Sequence, residues 1–344
     1  MSRKVETQTS LADYLTVENP KAGFLDKVDQ LIDWQPIEIL LKKKYRRTKD
    51  ATGEDAYPAL MMFKAMLLQR WYNLSDPALE GALYDRLSFM RFCGLSLSSE
   101  KPDETTLCRF RGGLIRSKLD KKLLDKINHQ FEKAGLLVRS GAIVDATVVA
   151  SSRKPRKVIE ALPEDRKEDE SSSSTQTKVS FSDDKEAAWI IKARKYHYGY
   201  KCHAMVDSKE GFYLGGHATG ANRSDTKEFP QLVSENSLDQ GAMVMGDKAY
   251  WSAENRESLN KAGLSNGLMK KAFRNRPLTE QDKLANRLIS SVRFKVERAF
   301  GTWKKDLGFS RARYVGKEKM EYELAFTGLA FNIKKAVNLC FLRA

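Results

Sequence analysis

The stretch Gly141–Ala150, GAIVDATVVA, decides the fold, because it combines a strand-like apolar run with a single acidic residue. Runs of apolar and β-branched residues of this length are typical of buried inner strands. Asp145 interrupts the run, and a carboxylate there loses hydration that a charged partner or a cation must restore. The stretch therefore predicts an inner strand that carries a functional acid.

Two further acids occupy comparable positions. Asp247 ends a second apolar run, Met243–Gly246, and Glu297 lies beside the apolar stripe of a long predicted helix. Any one acid alone is more often a surface or salt-bridged residue. Three of them in a basic chain indicate a site that holds two divalent ions, Mg²⁺ or Mn²⁺, for phosphoryl transfer on nucleic acid.

Composition limits the class of protein. The chain has 344 residues, a length that favours two domains or one large domain with an appendage, and 41% of them are hydrophobic, which suffices for a packed core. Its 60 Lys and Arg against 45 Asp and Glu give a net charge of +15 and favour a polyanionic partner. We find no signal peptide or membrane anchor, and four scattered cysteines indicate free thiols in the cytoplasm rather than structural zinc.

Residues 10–135 have the apolar spacing of amphipathic helices. The helices expected there cover residues 56–72, 76–93, 104–115 and 119–134, with Asp103 as an N-cap and Gly135 as a stop. The second and third of these could form a helix-turn-helix-like pair, although their connection is longer than the usual tight turn. This segment predicts an all-helical N-terminal region.

Beyond Leu136 the pattern changes to strands alternating with helices, which predicts an α/β fold with a mixed sheet flanked by helices. We expect strands at 141–150, 196–206, 212–219, 242–246 and 267–270, and helices from Asp225 onward and at 252–262, 281–305 and 320–342. Asp207 precedes a hairpin turn and Asp225 has capping-box spacing with Glu228. We therefore interpret these two acids as a turn residue and an N-cap rather than as ligands.

Residues 151–184 are polar, biased in composition and poor in large apolar side chains. Such a segment cannot bury enough apolar surface to offset the entropy of ordering, so we predict a disordered insertion or a long loop. If it orders, we expect DNA or a second subunit to order it through the basic residues Arg153, Lys154, Arg156 and Lys157.

Glu297 has two basic neighbours at helical spacing. Arg293 lies four residues before it and Lys304 seven after it, so the three side chains fall on nearly one helix face. This face borders the apolar stripe, and we expect Arg293 and Lys304 to hold phosphates next to the scissile bond.

Together these motifs resemble the bacterial insertion-sequence transposases of the DDE kind, and most closely the insertion-sequence-five group. The row Arg293–Glu297–Lys304 resembles the signature around the last acid, Asp247-Lys248-Ala249-Tyr250 the motif of the second, and Gly141–Thr147 that of the first. Other similar segments are 102–111, 198–203, 221–225 and 330–334, so the resemblance covers most of the chain. One departure is Ser290, which stands where a related signature has tyrosine.

The resemblance implies a ribonuclease-H-like catalytic domain over residues 136–314, a DNA-binding region over 1–135, and a final helix over 315–344 that packs on the core. It implies catalytic and metal-binding roles for Asp145, Asp247 and Glu297. It also implies double-stranded DNA as partner, at the transposon ends and the target, with a homodimer or larger assembly on DNA. The expected location is the bacterial cytoplasm, in association with the nucleoid.

Several other side chains are candidates for DNA contact, each with a structural alternative. Arg109, Arg111 and Arg116 would read or hold DNA from the helix-turn-helix-like pair, and Lys43 and Arg46 belong to a basic run that is as well explained by a solvated helix end. The remaining candidates are Arg298, Lys201, His203, Tyr250 and Trp251. For His203 a structural hydrogen bond is an equal alternative, and for the two aromatics core packing is the default.

Two other functions remain open from the sequence. One is a structure-specific nuclease with a similar core, which would cut DNA without joining it. The other is a non-catalytic DNA-binding protein derived from a transposase, which the intact acids and the row Arg293–Glu297–Lys304 disfavour.

Overall fold

A computed structural model describes residues 23–44, 56–159, 177–180, 184–192, 194–274 and 276–341. Before residue 136 the described chain is helical, as predicted. Its helices are α1 (Phe24–Leu31), α2 (Gln35–Lys44), α3 (Ala59–Trp71), α4 (Asp76–Asp85), α5 (Leu87–Cys93), α6 (Glu104–Arg116) and α7 (Leu119–Lys133). Asp103 caps α6 as expected, because its carboxylate accepts a hydrogen bond from the Thr106 amide at 2.7 Å.

The remaining part is built on a mixed sheet. Its strands are β1 (Gly141–Ala150), β4 (Ala188–Lys192), β5 (Lys195–Asp207), β6 (Tyr213–Gly220), β7 (Met243–Gly246) and β8 (Ser265–Leu268). The order β6-β5-β1-β7-β8 has antiparallel pairs on one side of β1 and parallel pairs on the other, and β4 also pairs with β5. This arrangement confirms the ribonuclease-H-like α/β fold and places β1 at the centre of the sheet.

Helices follow and cover the strands. They are α8 (Asp225–Ser234), α9 (Ala253–Lys261), α10 (Glu280–Asp306) and α11 (Lys317–Phe341), with a short 3₁₀ turn at Lys248–Tyr250. The helix α10 contacts β1, β5 and β7, whereas α8 contacts β5, β6 and the 3₁₀ turn. In the part of the chain that the structure describes, no helix has the length and apolarity that a bilayer crossing requires. The four cysteines are free thiols, as expected.

Two expectations about secondary structure were wrong. The single helix predicted over residues 76–93 is broken at Arg86, whose backbone is extended and whose guanidinium lies over the rings of Tyr72 and Phe89 at 5.9 and 4.9 Å. The break lets α4 and α5 pack in different directions. The strand β4 was not predicted, because order was expected to resume only at Tyr196.

The polar insertion is partly structured within its described residues. Segments β2 (Arg156–Ile159) and β3 (Thr177–Ser180) form a two-stranded antiparallel sheet, which corrects the expectation of disorder for those residues. At the two ends of the segment, the buried Ser151 hydroxyl donates to the buried Asp184 carboxylate, which also contradicts disorder there. Residues 160–176 and 181–183 lie outside the described chain.

The final helix α11 is buried along much of its length and joins the helical region to the sheet. The indole of Trp71 on α3 donates to the Ala330 carbonyl at 2.9 Å. The Asn332 side chain accepts from the Tyr213 amide at 2.8 Å and donates to Asn128 of α7 at 2.7 Å. The helical region, the sheet and α11 therefore share one core.

A buried ion pair strengthens this junction. The Arg70 guanidinium donates to the Glu323 carboxylate at 3.1 Å, and the two side chains are 5% and 0% exposed. The same carboxylate accepts the Arg313 amide at 3.0 Å. We expect Glu323→Ala to lower the free energy of unfolding by about 3–5 kcal/mol, because it leaves the buried Arg70 charge with the Leu307 carbonyl but without its negative counter-charge.

Urea unfolding monitored by tryptophan fluorescence measures this effect. The control is Glu318→Ala, which removes an exposed acid of the same helix and should change stability by less than about 0.5 kcal/mol. A loss from Glu323→Ala as small as that of the control would contradict a buried, mutually dependent pair.

Candidate active site

Asp145 lies on β1, between β5 and β7. Its Oδ1 accepts the Ala146 amide at 2.8 Å, and its Oδ2 accepts from Nη2 of Arg293 on α10 at 3.3 Å. The side chain is 21% exposed, so it is largely removed from water yet open on one side. The sequence prediction of an acid on an inner strand is thus correct, and its charge partner is Arg293.

Asp247 lies beside Asp145 through the sheet register. The parallel ladder pairs Ile143 with Met245, and Asp247 follows the last residue of β7, two positions beyond Met245, as Asp145 lies two positions beyond Ile143. The charge of Asp247 acts on Asp145, so the two side chains are close neighbours. The Asp247 Oδ1 accepts the Ala249 amide at 2.8 Å and so caps the 3₁₀ turn that follows β7. Arg293 therefore holds the carboxylate of Asp145 on β1, and the 3₁₀ turn holds the carboxylate of Asp247 at the end of β7.

These positions perturb the ionisation of Asp145. Burial is the main cause that raises the pKa of Asp145, and the nearby negative charges of Asp247 and Asp225 raise it further. The Ala146 amide and the Arg293 guanidinium oppose this rise. Because burial outweighs the two stabilising contacts, the ionised carboxylate is short of favourable partners, which is the condition that a cation relieves.

Asp225 is not the N-cap that its spacing predicted. The N-cap of α8 is Ser224, without a side-chain capping bond, and Asp225 occupies the first helical turn. Its Oδ1 lies 3.1 Å from Lys201 Nζ and 3.8 Å from Nδ1 of His203. Glu228, the other half of the expected capping box, pairs instead with Arg223 at 3.0 Å. Both acids therefore pair with basic residues outside the helix, Lys201 and Arg223, instead of capping its first turn.

Asp207 does act as a turn residue, as expected. Its side chain is buried, and its Oδ1 accepts the amides of Glu210 and Gly211 at 2.7 and 3.0 Å. These bonds close the turn between β5 and β6, which leaves this acid with a structural role.

Glu297 lies one turn after Arg293 on α10 and is exposed to solvent. Within the described residues it forms no hydrogen bond or ion pair. Arg293, and not Glu297, contacts Asp145 in this structure. The place of Glu297 in the acid set therefore rests on its position along the helix.

Four of the residues proposed for DNA contact are buried. Arg111 pairs with Asp76 at 2.9 Å and lies over the Tyr314 ring at 4.4 Å, so it stabilises the helical region instead of facing DNA. The other three are Lys201, His203 and Tyr250. For the last of these, a ring contact with Phe229 at 5.6 Å favours the alternative of core packing. Arg111, a basic residue on a helix face, is therefore part of the buried core.

The remaining candidates face solvent wholly or in part. Arg109, Arg116, Arg298 and Lys43 are exposed, and Lys304 is half-buried. Trp251 is partly exposed, with the Arg256 guanidinium 4.8 Å from its ring. Arg46 lies outside the described residues.

Sequence reasoning missed a hairpin with exposed aromatic and basic side chains. Trp189 on β4 and Tyr196 at the start of β5 are 48% and 71% exposed. Lys192 and Lys195 of the same hairpin are also exposed. The short apolar run Ala188–Ile191, which contains an aromatic and two β-branched residues, is the signal that could have identified the strand.

The donor set fits a hard divalent cation. Asp145, Asp247 and Asp225 offer only carboxylate oxygens, which suit Mg²⁺ or Mn²⁺. Among the described residues, no three acidic, histidine or cysteine side chains already stand in ligand geometry. Mg²⁺ keeps several of its waters and needs only one or two protein carboxylates, so the pair on β1 and β7 is sufficient to begin such a site.

Comparison with known proteins identifies the same two parts of the chain. Residues 13–113 match the family model described as Transposase domain (DUF772), and residues 137–333 match that described as Transposase DDE domain. A transposase for insertion sequence element IS1106 from Neisseria meningitidis serogroup B is 38% identical over 233 residues, which are 67% of this chain and 77% of the relative.

Solved structures are more distant. A piggyBac transposase in a synaptic complex with hairpin DNA aligns over 93% of this chain and 76% of its own, with 12% identity and a TM-score of 0.43. The Mos1 mariner paired-end complex with Mn aligns over 83% of this chain and 90% of its own, with 9% identity and a TM-score of 0.21.

The raised pKa of Asp145 predicts a pH-dependent stability. The folded protein binds this proton more tightly than the unfolded chain, so the stabilisation is complete below an ordinary aspartate pKa, about 3.9, and is lost as the pH rises through the folded value. In metal-free buffer, Asp145→Asn should therefore gain stability relative to the wild type between about pH 4 and neutrality.

Urea unfolding of Asp145→Asn and the wild type at about pH 4 and at neutral pH, in the presence of EDTA, measures this gain in stability. Asp239→Asn, at an exposed acid after α8, is the control and should show no such gain. A difference between Asp145→Asn and the wild type that stays constant with pH would show that Asp145 carries no unfavourable charge.

Proposed function

This chain belongs to the family of DDE transposases, and we propose that it cuts DNA at the terminal inverted repeats of an insertion sequence and joins the ends to target DNA. The observation that supports the proposal is that Asp145 lies on β1 and Asp247 directly follows β7, the parallel neighbour of β1, so that the charge of Asp247 acts on Asp145. The matched DDE domain spans both residues and also Glu297. Assignment to the insertion-sequence-five group is the narrower part of the proposal.

Divalent cations, two Mg²⁺ or Mn²⁺ ions per site in this proposal, would activate the attacking oxygen and neutralise the leaving oxygen. Asp145, Asp247 and Glu297 would hold them. The Ala146 and Ala249 amides already restrain the carboxylates of Asp145 and Asp247, so these side chains would need little rearrangement to bind the ions. Glu297 is exposed one helical turn from Arg293, where no hydrogen bond or ion pair with another described residue restrains the rotation of its side chain.

Arg293 has two roles in this proposal. Without a cation its guanidinium partly neutralises Asp145, at 3.3 Å. When a cation takes over that task, the guanidinium is free to hold a phosphate oxygen beside the scissile bond, which its planar donor groups suit. The same side chain would thus stabilise the acid set before metal binding and the DNA strand after it.

Lys304 is the second phosphate contact that we propose. Burial is the main cause that lowers its pKa, and the positive charge of Lys192 on β4 lowers it further. Two neighbouring cations repel each other unless an anion lies between them. Among the described residues Lys304 has no acidic partner, so a DNA phosphate is the anion that we assign to it.

The exposed cations of the helical region extend this surface. Arg109 on α6 and Lys43 on α2 are solvent-exposed, and Arg298 lies on α10 close to the proposed catalytic acid. With a net charge of +15, the chain attracts duplex DNA without sequence preference, and the helical region would supply recognition of the transposon ends. We propose that two or more copies assemble on paired ends.

The first test separates catalysis from binding. Glu297→Gln keeps the shape of the side chain but removes a metal-binding charge. We expect cleavage and strand transfer of an end fragment to fall by about a hundred- to a thousandfold, the scale of losing one transition-state electrostatic contact, while binding stays close to that of the wild type.

Gel-shift and cleavage assays on the same inverted-repeat fragment, with Mg²⁺ or Mn²⁺, measure both properties. Glu280→Gln, an exposed acid in the first turn of the same helix, is the matched control and should be fully active. Normal cutting and joining by Glu297→Gln would exclude it from the acid set, and cutting without joining by the wild type would favour a nuclease.

The second test concerns Lys304. Lys304→Ala should weaken binding of the cleaved end about three- to tenfold at low salt, because one phosphate contact is lost, and the defect should shrink as salt rises. Lys305→Ala, its exposed neighbour, removes the same charge from a different helix face and is the control. Equal defects in the two variants would mean that only net charge matters.

A further inference from the structure

The first turn of α8 is fastened to the turn that carries Asp247. The Thr226 hydroxyl donates to the Ala249 carbonyl at 2.6 Å, and the Ala249 amide donates to Asp247. The Phe229 ring, one turn further along α8, packs on Tyr250 at 5.6 Å. Asp225, the residue before Thr226, is therefore held next to the acid pair by contacts that do not involve its own carboxylate.

The two oxygens of the Asp225 carboxylate differ in their surroundings. Its Oδ1 is buried, lies 3.1 Å from Lys201 Nζ and accepts no hydrogen bond of good geometry. The side chain as a whole is 30% exposed. Because Oδ1 is buried, the exposure belongs to the rest of the group, which leaves Oδ2 available to a ligand.

Two buried side chains next to the acids each have one polar atom that forms no hydrogen bond with any described residue. His203 is 1% exposed, and its Nε2 contacts the Thr219 hydroxyl at 3.0 Å, but its Nδ1 lies 3.8 Å from Asp225 without a hydrogen bond. The second atom is the buried Tyr250 hydroxyl, which the charges of Asp145, Asp225 and Asp247 influence. Unpaired polar groups in such a place are satisfied by water or by a hydrated ion.

The local charges are not balanced. Asp145, Asp247 and Asp225 supply three negative charges, whereas the cations in contact with them are Arg293 and Lys201. The fold therefore holds more acid here than its own ion pairs neutralise. A simple structural ion pair between Lys201 and Asp225 would not need to stand beside two other carboxylates.

We propose that Asp225 is a positioning residue of the cation site, and that its carboxylate holds water molecules of the ion that Asp145 and Asp247 bind. This inference rests on the proposed function, because it requires a cation at that pair. Lys201 fixes the orientation of Asp225, and the Nδ1 of His203 and the hydroxyl of Tyr250 complete the polar wall around the hydration shell. A group that acts through metal-bound water changes metal affinity without touching DNA.

Binding of Mn²⁺ alone to the full-length protein tests the proposal, with free Mn²⁺ counted by electron paramagnetic resonance. Asp225→Asn should weaken Mn²⁺ binding about 10- to 100-fold, the usual effect of removing an outer-shell partner, and Asp225→Glu should restore part of it. Asp239→Asn, an equal loss of charge at an exposed position, should bind Mn²⁺ as the wild type does. Wild-type affinity in Asp225→Asn would overturn the proposal.

Two further variants separate the possible failures. If Asp225→Asn does not fold because Lys201 is left unpaired, the double variant Lys201→Gln with Asp225→Asn removes both charges, and the same loss of affinity is expected from it. Asp145→Asn reports on the proposed function itself. If it loses Mn²⁺ while the Asp225 variants retain it, only the role of Asp225 is wrong; if all of them retain it, the metal site is wrong as well.

Discussion

Desolvation of negative charge at the centre of the sheet is the constraint on which the arrangement depends. The strand β1 is paired on both edges, and the side chain of Asp145 in its middle is largely removed from water. Its pKa is raised mainly by burial, and the neighbouring acids add to the effect. Arg293 offsets only part of this cost. In the proposed site a bound cation would relieve the remainder and would stabilise the folded protein.

The buried helix α11 contributes stability that can offset the cost of the buried negative charge. It ties the N-terminal helices to the sheet through Arg70 and Glu323, and it fixes the β6 edge through Asn332, which contacts the backbone of Tyr213. These contacts lie away from the acids. Stability gained in the shared core can therefore offset unfavourable charge at the site, as is common where function and stability conflict.

The sequence predicted the features that depend on neighbouring residues. The limits of β1, the N-cap at Asp103 and the turn at Asp207 all follow from local patterns, and the structure has each of them. It failed where a distant partner decides. The sequence predicted Asp225 to be a cap because its charge partner Lys201 lies on β5, far from it in the chain. It predicted Arg111 to contact DNA because its partners Asp76 and Tyr314 are also distant in sequence. Local propensity is a weak guide wherever burial brings an opposite charge into reach.

The contrast between the whole chain and its site has a mechanistic consequence. The chain carries a net charge of +15 and attracts DNA, whereas the acid set repels the phosphate that the proposed reaction must bring to it. In the proposed site, Asp145 and Asp247 would hold a divalent cation, and its positive charge would offset their repulsion of the phosphate. Arg293, which now contacts Asp145, would then be able to donate to a phosphate oxygen instead. In the proposed reaction, metal binding and engagement of the scissile phosphate should therefore be positively coupled, each raising the affinity for the other by the same factor.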